Sequence, residues 1–400
     1  MARIKLLEVL EANMGGARKH VFQLLRGLDR DRFELHLACS TQRDEGVAAE
    51  LDALRSEGLR VFPVRMLRRP APLSDFAALG ALTRLMRAER YGLVHTHASK
   101  AGFLGRLAAR RARVPAVVHT PHTFPFERRD TLFAPLYRLL ERRAGRWADR
   151  IVLVSASQRH VAEAAGIGPA DRLVVIPNGI PMPTGESRHK YRSELGLGDS
   201  DVAMAFVGRL APQKDVQTFL AVAGELRRAL PSVRLFVAGS ADNRHYLRSL
   251  RPAPTPEAWR VLAEGGKEPR GVVHWSPELP VQVLGHRADA ADLVAAFDVV
   301  LLPSLYEGLP YSLLEAMAQR VPVVASDVTG NRDAIEHGRS GFLVALGDVS
   351  AFASQALSLL RDAACRAHMG DAARERVAAE FTEDRFLRRM TELYEGLLER

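Results

Sequence analysis

Residues 93–120 read LVHTHASKAGFLGRLAARRARVPAVVHT, and this stretch decides the fold. Leu93–Thr96 and Ala116–Thr120 are short apolar runs typical of buried strands, whereas Gly102–Arg111 between them has the periodicity of a helix. Two strands separated by a helix predict a parallel pair, because a parallel connection needs a crossover of about this length.

The same alternation continues on both sides of this unit. In the first half, further strands are predicted at Ile4–Leu10, Phe33–Ala38, Arg60–Val64, Ile151–Ser155 and Leu173–Ile176, with helices at Ala17–Leu28, Phe76–Ala88 and Leu136–Ala148. The second half has predicted strands at Val202–Val207, Val233–Ala238, Val281–Gly285, Val299–Pro303, Val321–Ser326 and Gly341–Val344, and a helix at Val216–Ala229. The pattern predicts an α/β protein with two doubly wound, Rossmann-like domains.

Turn-forming residues predict the domain boundaries. A segment rich in Pro and Gly begins at Pro177 and predicts an N-terminal domain at 1–183, a linker at 184–200 and a C-terminal domain at 201–382. The helical period of Glu383–Glu399 predicts that residues 383–400 form a last helix that returns to the N-terminal domain. Residues 240–280 are also rich in Pro and Gly and too long for a strand-to-helix connection, which predicts an inserted loop or excursion.

Composition and charge exclude several classes of protein. The 400 residues are 47% hydrophobic and include two cysteines, so two cores can form, and a disulfide scaffold or zinc site is not indicated. The net charge of +9 is uneven, since residues 1–190 carry +13 and residues 191–400 carry −4. No apolar stretch approaches the roughly 20 residues that span a bilayer, and the N-terminal run lacks the features of a signal peptide. These features predict a cytoplasmic protein with a basic half suited to phosphorylated ligands or an anionic membrane.

Cationic residues follow the first strand of the second domain. In Gly208-Arg209-Leu-Ala-Pro-Gln-Lys214, the glycine lets the backbone turn, and Arg209 and Lys214 can converge at the start of the next helix. Backbone N–H groups at a helix start attract anions, so two cations there suit a diphosphate. For this segment alone, a solvated loop whose cations face water is an equal alternative.

Two carboxylates follow a later strand of the same domain. Glu307 stands in a turn before a short helix, Pro310 lies near the first helical position, and Glu315 lies within the helix. The residues of this helix predicted to face the core are Leu313, Leu314 and Met317. Carboxylates bind sugar hydroxyls, and amides such as those of Gly308 and Leu309 bind phosphate. This combination at a strand end favours a ligand site over a simple helix cap and a solvated glutamate.

The two segments resemble the G-R-x4-K and E-x7-E motifs of retaining glycosyltransferases of family 4, in the order found there. Residues 93–126 are similar to the N-domain of bacterial members that build surface polysaccharides, and residues 283–304 and 321–344 are similar to the donor domain. The resemblance implies the GT-B fold, in which two Rossmann-like domains face each other across a cleft. This chain departs from many relatives at Arg332-Asp333, where they carry Pro-Glu, and in the 240–280 segment.

The resemblance also implies roles for individual residues. Arg209 and Lys214 would neutralise the donor diphosphate, Glu307 would hold hydroxyls of the donor sugar, and Glu315 would hold the ribose. The other donor-site residues implied in this way are Gly308, Leu309 and Pro310 around the phosphates, Leu284 to Arg287 at the base, and Gly15 and Gly16 in the loop after the first strand. Pro310 itself has no N–H to donate.

Histidines follow two strands of the first domain. By resemblance, His122 contacts the donor sugar beside the reacting carbon, and it is favoured over His119 on that ground. His97, Ser99 and Lys100 follow the preceding strand and are candidates for the acceptor site.

These features predict a hexosyltransferase that retains the anomeric configuration. The expected donor is a nucleoside-diphosphate sugar, with UDP as the expected carrier, and the expected acceptor is a saccharide or lipid-linked saccharide of the cell envelope or an exopolysaccharide. Charge stabilisation by Arg209, Lys214 and the helix start predicts that no metal or other cofactor is needed. Arg-rich stretches at Phe103–Arg113 and Tyr137–Arg150 suggest peripheral binding to the inner face of the cell membrane, with an Arg-rich solvated surface as the alternative.

Other functions remain open on the residues alone. A UDP-sugar epimerase also has two wound domains and binds a diphosphate, but it would need no acceptor. A catalytically silent protein that binds nucleotide sugars would keep the same site. A nicotinamide dehydrogenase is disfavoured because residues 13–16 do not form the G-x-G-x-x-G fingerprint. Nucleic-acid binding is disfavoured because charge alone suggests it.

Overall fold

A computed structural model describes residues 3–11, 15–41, 47–67, 69–127, 132–185, 187–241, 243–263 and 272–399. The chain forms two compact units, one made of Met1–Gly179 with Glu383–Arg400 and the other of Ile180–Thr382. Each unit contains a parallel sheet with helical crossovers, which confirms the predicted α/β class with two doubly wound domains.

The first unit is built on a sheet of seven strands within the described residues. They are β1 (Ile4–Leu10), β2 (Phe33–Cys39), β3 (Arg60–Pro63), β4 (Leu93–His97), β5 (Ala116–Thr120), β6 (Arg150–Leu153) and β7 (Leu173–Val175). The helices between them are α1 (Gly15–Gly27), α2 (Val47–Ser56), α3 (Pro72–Glu89), α4 (Ser99–Ala112), α5 (Ala134–Gly145) and α6 (Ala156–Ala165). The order β3-β2-β1-β4-β5-β6-β7 reverses the direction of winding between β1 and β4. Wound sheets bind ligands outside the carboxyl ends of the strands at such a reversal.

The second unit is built in the same way on six described strands. They are β8 (Ala203–Val207), β9 (Arg234–Ala238), β10 (Val281–Gly285), β11 (Val299–Leu302), β12 (Val323–Ser326) and β13 (Phe342–Val344). The helices are α7 (Ser187–Glu194), α8 (Val216–Ala229), α9 (Arg244–Ser249), α10 (Pro256–Ala263), α11 (Ala290–Leu293), α12 (Tyr311–Ala318), α13 (Asn331–Ala334), α14 (Val349–Arg361) and α15 (Ala363–Glu380). The order β10-β9-β8-β11-β12-β13 places the reversal between β8 and β11.

A further helix, α16 (Glu383–Leu398), belongs to the first unit although it follows the second in sequence. Its Phe386, Met390 and Tyr394 lie four residues apart, so they share one face, and all three are buried in the core of the first unit. Within the described part of the chain, no helix is both long enough and apolar enough to cross a membrane.

The predicted linker at 184–200 is wrong over much of its length. Helix α7 occupies Ser187–Glu194 and belongs to the second unit. The Arg192 guanidinium is buried within that unit, where it donates to Ala296 O at 3.1 Å and lies 3.4 Å from Asp298. The charged composition of this helix hid its packing, because its burial depends on ion pairs rather than on an apolar stripe.

Of the two predictions for 240–280, an inserted loop or an excursion, the loop is wrong in the described part. Helices α9 and α10 lie between β9 and β10, and the Trp275 indole N–H donates to Pro252 O at 2.8 Å. The side chains that this segment buries in the second core include Leu247, Leu250, Ala258, Leu262 and Trp275. The Pro and Gly content concealed two short helices with apolar residues at three- and four-residue spacing. Residues 264–271 lie outside the described part of the chain.

Candidate active site

Two segments meet at the reversal point of the second sheet: the cationic segment, Gly208–Lys214, and the acidic segment, which contains Glu307 and Glu315. Gly208 follows β8, and the acidic segment follows its neighbour β11. A short 3₁₀ turn, Pro212–Lys214, is joined to the acidic segment because Leu305 donates its N–H to Gln213 O at 2.8 Å. The Gln213 side chain donates to Tyr306 O at 3.0 Å. The two predicted segments therefore lie side by side.

Lys214 and Glu307 form a direct ion pair at this edge. Lys214 Nζ lies 2.5 Å from Glu307 Oε1, and the two side chains are 13% and 7% exposed. A carboxylate this buried needs a charged partner, and Lys214 supplies one. Arg209 follows Gly208 directly and is half-buried, and Glu315 is half-buried within α12. Thus two of the four predicted charged residues are in contact, and the other two lie on the flanking elements.

Glycines allow three neighbouring strand ends of this sheet to approach closely. Gly208 donates its N–H to Ala238 O at 2.9 Å, and a Cβ atom on Gly239 would lie 1.9 Å from Gly208 O. Gly239 donates in turn to Gly285 O at 2.6 Å. The ends of β8, β9 and β10 are thus held together by backbone contacts that leave no room for a side chain on Gly239.

A second glycine contact shapes the turn before α12. Gly330 has a φ of +82°, and a Cβ atom there would lie 2.0 Å from Gly308 O. Gly330 was not among the predicted site residues, although a glycine one residue before a short helix was the available signal. The predicted core residues of α12, Leu313, Leu314 and Met317, are fully buried, which confirms that prediction.

The residues around the turn are buried as a group. Glu307, Gly308, Leu309 and Pro310 all lie beneath the surface, and Pro310 immediately precedes α12. Asp333, in the dipeptide where this chain departs from many relatives, accepts a hydrogen bond from the Gly330 N–H at 3.4 Å. The shorter carboxylate of this chain therefore lies next to the Gly308–Gly330 contact.

The Arg287 side chain is engaged in ion pairs. Its guanidinium donates to both carboxylate oxygens of Asp289 at 2.8 Å and lies 2.6 Å from Glu194 of α7. The hydrogen bonds from Arg287 lower the pKa of Asp289 to about 2. Arg287 therefore joins α7 to the loop after β10, and its contact with a nucleotide base stays a prediction.

Histidines surround a buried carboxylate at the reversal point of the first sheet. Glu8 of β1 is paired in register with His95 of β4, and His97 Nε2 lies 2.6 Å from Glu8 Oε2. Tyr394 of α16 places its Oη 2.7 Å from His95 Nδ1. Glu8 was not predicted as a site residue; the signal for it was a carboxylate in the buried part of the mostly apolar strand Ile4–Leu10.

Burial and mutual contact set the protonation of this cluster. Burial alone would raise the pKa of Glu8, but the neighbouring His95 and His97 imidazoles lower it to about 2. Burial lowers the pKa of His97 to about 4, and the pKa of His95 is lowered for the same reason. At neutral pH the cluster therefore holds an ionised Glu8 beside neutral imidazoles.

His122 continues this cluster towards the surface. Its Nε2 lies 3.2 Å from His97 Nδ1, and it is half-buried whereas His97 is fully buried. Its φ is +61°, an unfavourable angle for a residue with a side chain, and its carbonyl accepts a hydrogen bond from Gln158 Nε2 at 3.0 Å. Burial holds its pKa well below the usual range.

His20 of α1 packs beside His122. The two ring centroids are 4.8 Å apart with their planes nearly perpendicular, and His20 Nδ1 lies 3.0 Å from Asn178 Oδ1. His20 Nε2 is buried without a hydrogen-bond partner among the described residues. Neither His20 nor Asn178 was predicted, because nothing in the sequence indicates that residues so far apart meet.

Two groups of side chains in the described residues could hold a metal ion, since their ligand atoms lie within 4.8 Å of one another. One group is His20, His97 and His122, and the other is Glu8, His95 and His97. The facing nitrogens of His97 and His122 also form a hydrogen bond, and His97 is hydrogen-bonded to Glu8. Hydrogen bonds account for the contacts of His97 with Glu8 and His122, whereas His20 Nε2 has no such partner among the described residues.

The structure corrects one of the three candidates for the acceptor site in the first unit and leaves the other two as predictions. His97 is fully buried and bonded to Glu8 and His122, so it cannot line an acceptor site. Lys100 Nζ is held by Asp75 Oδ1 and Arg69 O, each at 2.7 Å. Ser99 is the first residue of α4 and stays a prediction for the acceptor site.

Gly15 and Gly16 were predicted to lie in the loop after the first strand. The structure instead places them at the start of α1. Gly15 has a φ of +59°, which glycine adopts without strain, so the helix can begin there. His119, the less favoured histidine, is fully buried, and a Cβ atom on Gly102 would lie 2.4 Å from its ring. Of the two histidines considered, only His122 reaches the surface.

Comparison with known protein families agrees with this geometry. A family model described as Glycosyltransferase Family 4 matches residues 14–182, and one described as Glycosyl transferases group 1 matches residues 201–362. The chain belongs to glycosyltransferase family 4. The predicted enzyme class, a retaining hexosyltransferase of that family, is thereby confirmed.

Individual relatives match over most of their length. The D-inositol 3-phosphate glycosyltransferase of Kineococcus radiotolerans is 30% identical, over 90% of this chain and 86% of the relative. The UDP-Gal:alpha-D-GlcNAc-diphosphoundecaprenol alpha-1,3-galactosyltransferase of Escherichia coli is 29% identical, over 88% of this chain and 86% of the relative. The structure of Anabaena HepE in complex with UDP-glucose superposes with a TM-score of 0.79 at 22% identity, over 98% of this chain and 100% of HepE. That superposition shows a shared fold.

Proposed function

We propose that this protein transfers a hexose from a uridine diphosphate sugar to a lipid-linked saccharide of the cell envelope, with retention at the anomeric carbon. The observation that carries the proposal is the Lys214–Glu307 pair, which lies at the reversal point of the second sheet. The name of the Escherichia coli relative specifies a UDP-galactose donor and a diphosphoundecaprenol-linked acceptor, which supports both halves of the proposal.

The donor would bind along the carboxyl edge of the second sheet. Arg209 and Lys214 neutralise the diphosphate, and the N–H groups around Gly308 and Leu309 add hydrogen bonds to it. Glu307 accepts hydrogen bonds from hydroxyls of the sugar, and Glu315 does the same for the ribose. These roles come from the family resemblance, and the burial of the turn supports them because excluded water strengthens each contact.

Bond cleavage places negative charge on the leaving diphosphate. Arg209 and Lys214 stabilise that charge electrostatically, so the reaction is proposed to need no metal ion. Retention follows from attack on the face that the diphosphate leaves, with the departing phosphate taking the acceptor proton. We therefore assign no nucleophilic residue. His122 is proposed to contact the donor sugar beside the reacting carbon.

The acceptor side of the proposal rests on the surface of α5. Five apolar side chains before and within this helix are exposed, and we call them the α5 ridge: Leu132, Phe133, Leu136, Leu139 and Leu140, which are 97%, 62%, 48%, 62% and 38% exposed. Within α5, the three- and four-residue spacing of Leu136, Leu139 and Leu140 places these three on one face. Exposed arginines on the same helix, among them Arg138 and Arg143, add positive charge. A basic helix with an exposed apolar face is typical of binding to anionic membranes.

The proposed reaction is tested by release of UDP. The purified protein is incubated with UDP-galactose, UDP-glucose or UDP-N-acetylglucosamine, with and without a diphosphate-linked lipid saccharide, in buffer with and without EDTA. We expect UDP to appear only when both substrates are present. UDP-sugar interconversion without an acceptor would instead indicate an epimerase. Binding without turnover under all conditions would indicate a silent protein, and activity lost only in EDTA would contradict the metal-independent mechanism.

Membrane binding is tested by flotation with vesicles. We expect co-flotation with vesicles containing phosphatidylglycerol and less with pure phosphatidylcholine. Leu136→Ser with Leu139→Ser should lower the bound fraction, because both side chains belong to the α5 ridge. The control is Val272→Ser, which removes an exposed apolar side chain from the other unit. Equal flotation of all three proteins would rule out the α5 ridge as the membrane contact.

A further inference from the structure

We infer that Glu8 and His97 are positioning residues for His122: the hydrogen-bond chain from Glu8 through His97 holds His122 as the Nε2–H tautomer, with its Nδ1 lone pair available to a hydroxyl of the bound sugar. The inference rests on the proposed function for the identity of that ligand. The hydrogen-bond chain itself follows from distances within the first unit.

Each hydrogen bond determines which nitrogen of the next imidazole carries the hydrogen. An ionised carboxylate only accepts hydrogen bonds, so the 2.6 Å contact with Glu8 Oε2 requires a hydrogen on His97 Nε2. A neutral imidazole carries a single N–H, so His97 Nδ1 is an acceptor. The nitrogen 3.2 Å from it is His122 Nε2, which must therefore donate. The remaining nitrogen of His122, Nδ1, then carries a lone pair.

The surroundings favour a neutral chain with one negative end. Glu8 also faces the Tyr394 hydroxyl, which donates to Oε1 at 3.4 Å, and the His95 ring, whose Nδ1 lies 3.5 Å from Oε2. The His97 ring faces three further imidazoles, those of His20, His95 and His122, at centroid distances of 5.4, 4.0 and 5.4 Å. A proton added to any one of these buried rings would repel a proton on the next, so a single charge, on Glu8, is the stable arrangement.

The position of His122 is held as firmly as its tautomer. Its backbone has a φ of +61°, and its carbonyl is held by Gln158, whose own Oε1 accepts the Val154 N–H at 2.9 Å. Its ring plane is tilted by 26° from that of His97, with the centroids 5.4 Å apart, and His20 meets it edge-on. Strained backbone that the surrounding structure holds in place is concentrated at functional sites. Of Glu8, His97 and His122, only His122 is partly exposed, so it is the one that can contact a ligand.

His119 shows that the arrangement is specific to His122. Its Nδ1 lies 3.0 Å from both the carbonyl and the hydroxyl oxygen of Thr96, and because the carbonyl can only accept, that nitrogen carries the hydrogen. Its Nε2 is buried without a hydrogen-bond partner among the described residues. His119 thus has the opposite tautomer to His122 and has no link to Glu8 like that of His97.

The tautomers can be measured on the unaltered protein by NMR after labelling its histidines with ¹⁵N. Two-bond proton–nitrogen correlations distinguish the Nε2–H, Nδ1–H and doubly protonated forms, and His97→Gln and His122→Gln assign the two signals. We expect both residues to be Nε2–H tautomers at neutral pH, and His119 to be Nδ1–H. An Nδ1–H or doubly protonated His122 would overturn the inference.

Kinetics then separate positioning from a purely structural role. In Glu8→Gln the new amide can face His97 with either its oxygen or its nitrogen, so the tautomers of His97 and His122 should become mixed. We expect kcat to fall about 10–100-fold with an unchanged KM for the donor. The matched control is His36→Gln, which alters another buried histidine of the same sheet. His36 is hydrogen-bonded to Tyr91 and is not part of the hydrogen-bond chain from Glu8 to His122, so this variant should keep kcat.

The outcomes of the two proposals can be told apart. Equal losses of kcat in Glu8→Gln and His36→Gln, or an unchanged His122 tautomer in Glu8→Gln together with a lower kcat, would overturn the positioning role. The expected tautomers in a protein that turns over none of the tested UDP sugars would refute the proposed function while leaving the hydrogen-bond chain intact.

Discussion

Lys214 Nζ and Glu307 Oε1 lie 2.5 Å apart, so two charged groups expected to bind different parts of the donor neutralise each other. Binding of a donor at this edge would replace one ion pair by two sets of contacts, Lys214 with a phosphate and Glu307 with sugar hydroxyls. Neither charge would be left buried without a partner during that exchange. The site can therefore keep charged side chains out of water both with and without its ligand.

The pair should be strongly coupled in stability. Lys214→Met is expected to destabilise the second unit by about 3–5 kcal/mol, because it leaves the Glu307 carboxylate buried and uncompensated. The double variant with Glu307→Gln should lose less than the sum of the two single losses. Urea unfolding of the four proteins measures this coupling, and additive losses would show that the two side chains do not interact.

A methyl group at Gly330 should disturb the turn before α12. In Gly330→Ala the added Cβ would lie 2.0 Å from Gly308 O, at a backbone angle that disfavours side chains, so the turn must move. We expect weaker binding of UDP by calorimetry. The control is Gly338→Ala, which has a similar positive φ but no atom within 4 Å of the new Cβ. Similar UDP affinity in both variants would contradict a role for the Gly308–Gly330 contact in the site.

Arg209 should contribute to turnover of the donor. Arg209→Ala is expected to lower kcat/KM by about 10²–10³-fold, the usual cost of losing one group that stabilises transition-state charge. Arg228→Ala removes an exposed arginine from the last turn of α8 and should leave kcat/KM unchanged. The assay is UDP release in the presence of acceptor, and an unchanged kcat/KM for Arg209→Ala would refute its assignment to the diphosphate.

Most of the fold was predictable because it depends on local patterns. The predicted strands Ile4–Leu10, Ala116–Thr120 and Val281–Gly285 agree with the structure to the residue, since each is an apolar run bounded by polar or turn-forming residues. Helix α7 was missed because it is buried through Arg192 and Tyr191 and lacks an apolar stripe. Periodicity detects hydrophobic burial, whereas it gives no information on burial that depends on ion pairs.

The site was only partly predictable because it depends on the order of the strands. The charged residues of each segment were visible in the sequence, but the contact of Lys214 with Glu307 requires β8 and β11 to be neighbours. The contact of Glu8 with His97 likewise requires β1 beside β4. No local pattern specifies these neighbours, so the histidine cluster could not be identified from the sequence.

The first unit should lose stability in acid. Burial, as the leading cause, lowers the pKa of His20 to about 3 and that of His97 to about 4, against 6.5 in the unfolded chain. At a pH between 6.5 and the folded-state pKa of each histidine, the unfolded state binds a proton that the folded state does not. The free energy of unfolding therefore falls as the pH falls below 6.5. Each such group contributes about 1.4 kcal/mol per pH unit over this range. Glu8, with its pKa lowered from 4.5 to about 2, adds a loss of the same sign below pH 4.5.

Urea midpoints measured at pH 7, 6, 5 and 4 test this dependence. The loss should steepen as the pH falls, and His20→Gln should make it shallower, because that variant removes one buried group that protonates on unfolding. Constant stability between pH 7 and pH 5 would show that the buried histidines are not held neutral.

Helix α16 has a consequence for the order in which the protein can fold during synthesis. A ribosome completes residues 180–382, the whole of the second unit, before it makes Phe386, Met390 and Tyr394. Until then the nascent first unit has all the strands of its described sheet but lacks three buried side chains of its core, and Glu8 and His95 lack the Tyr394 hydroxyl. The core of the first unit is therefore completed only after α16 has emerged from the ribosome, later than most of the second unit.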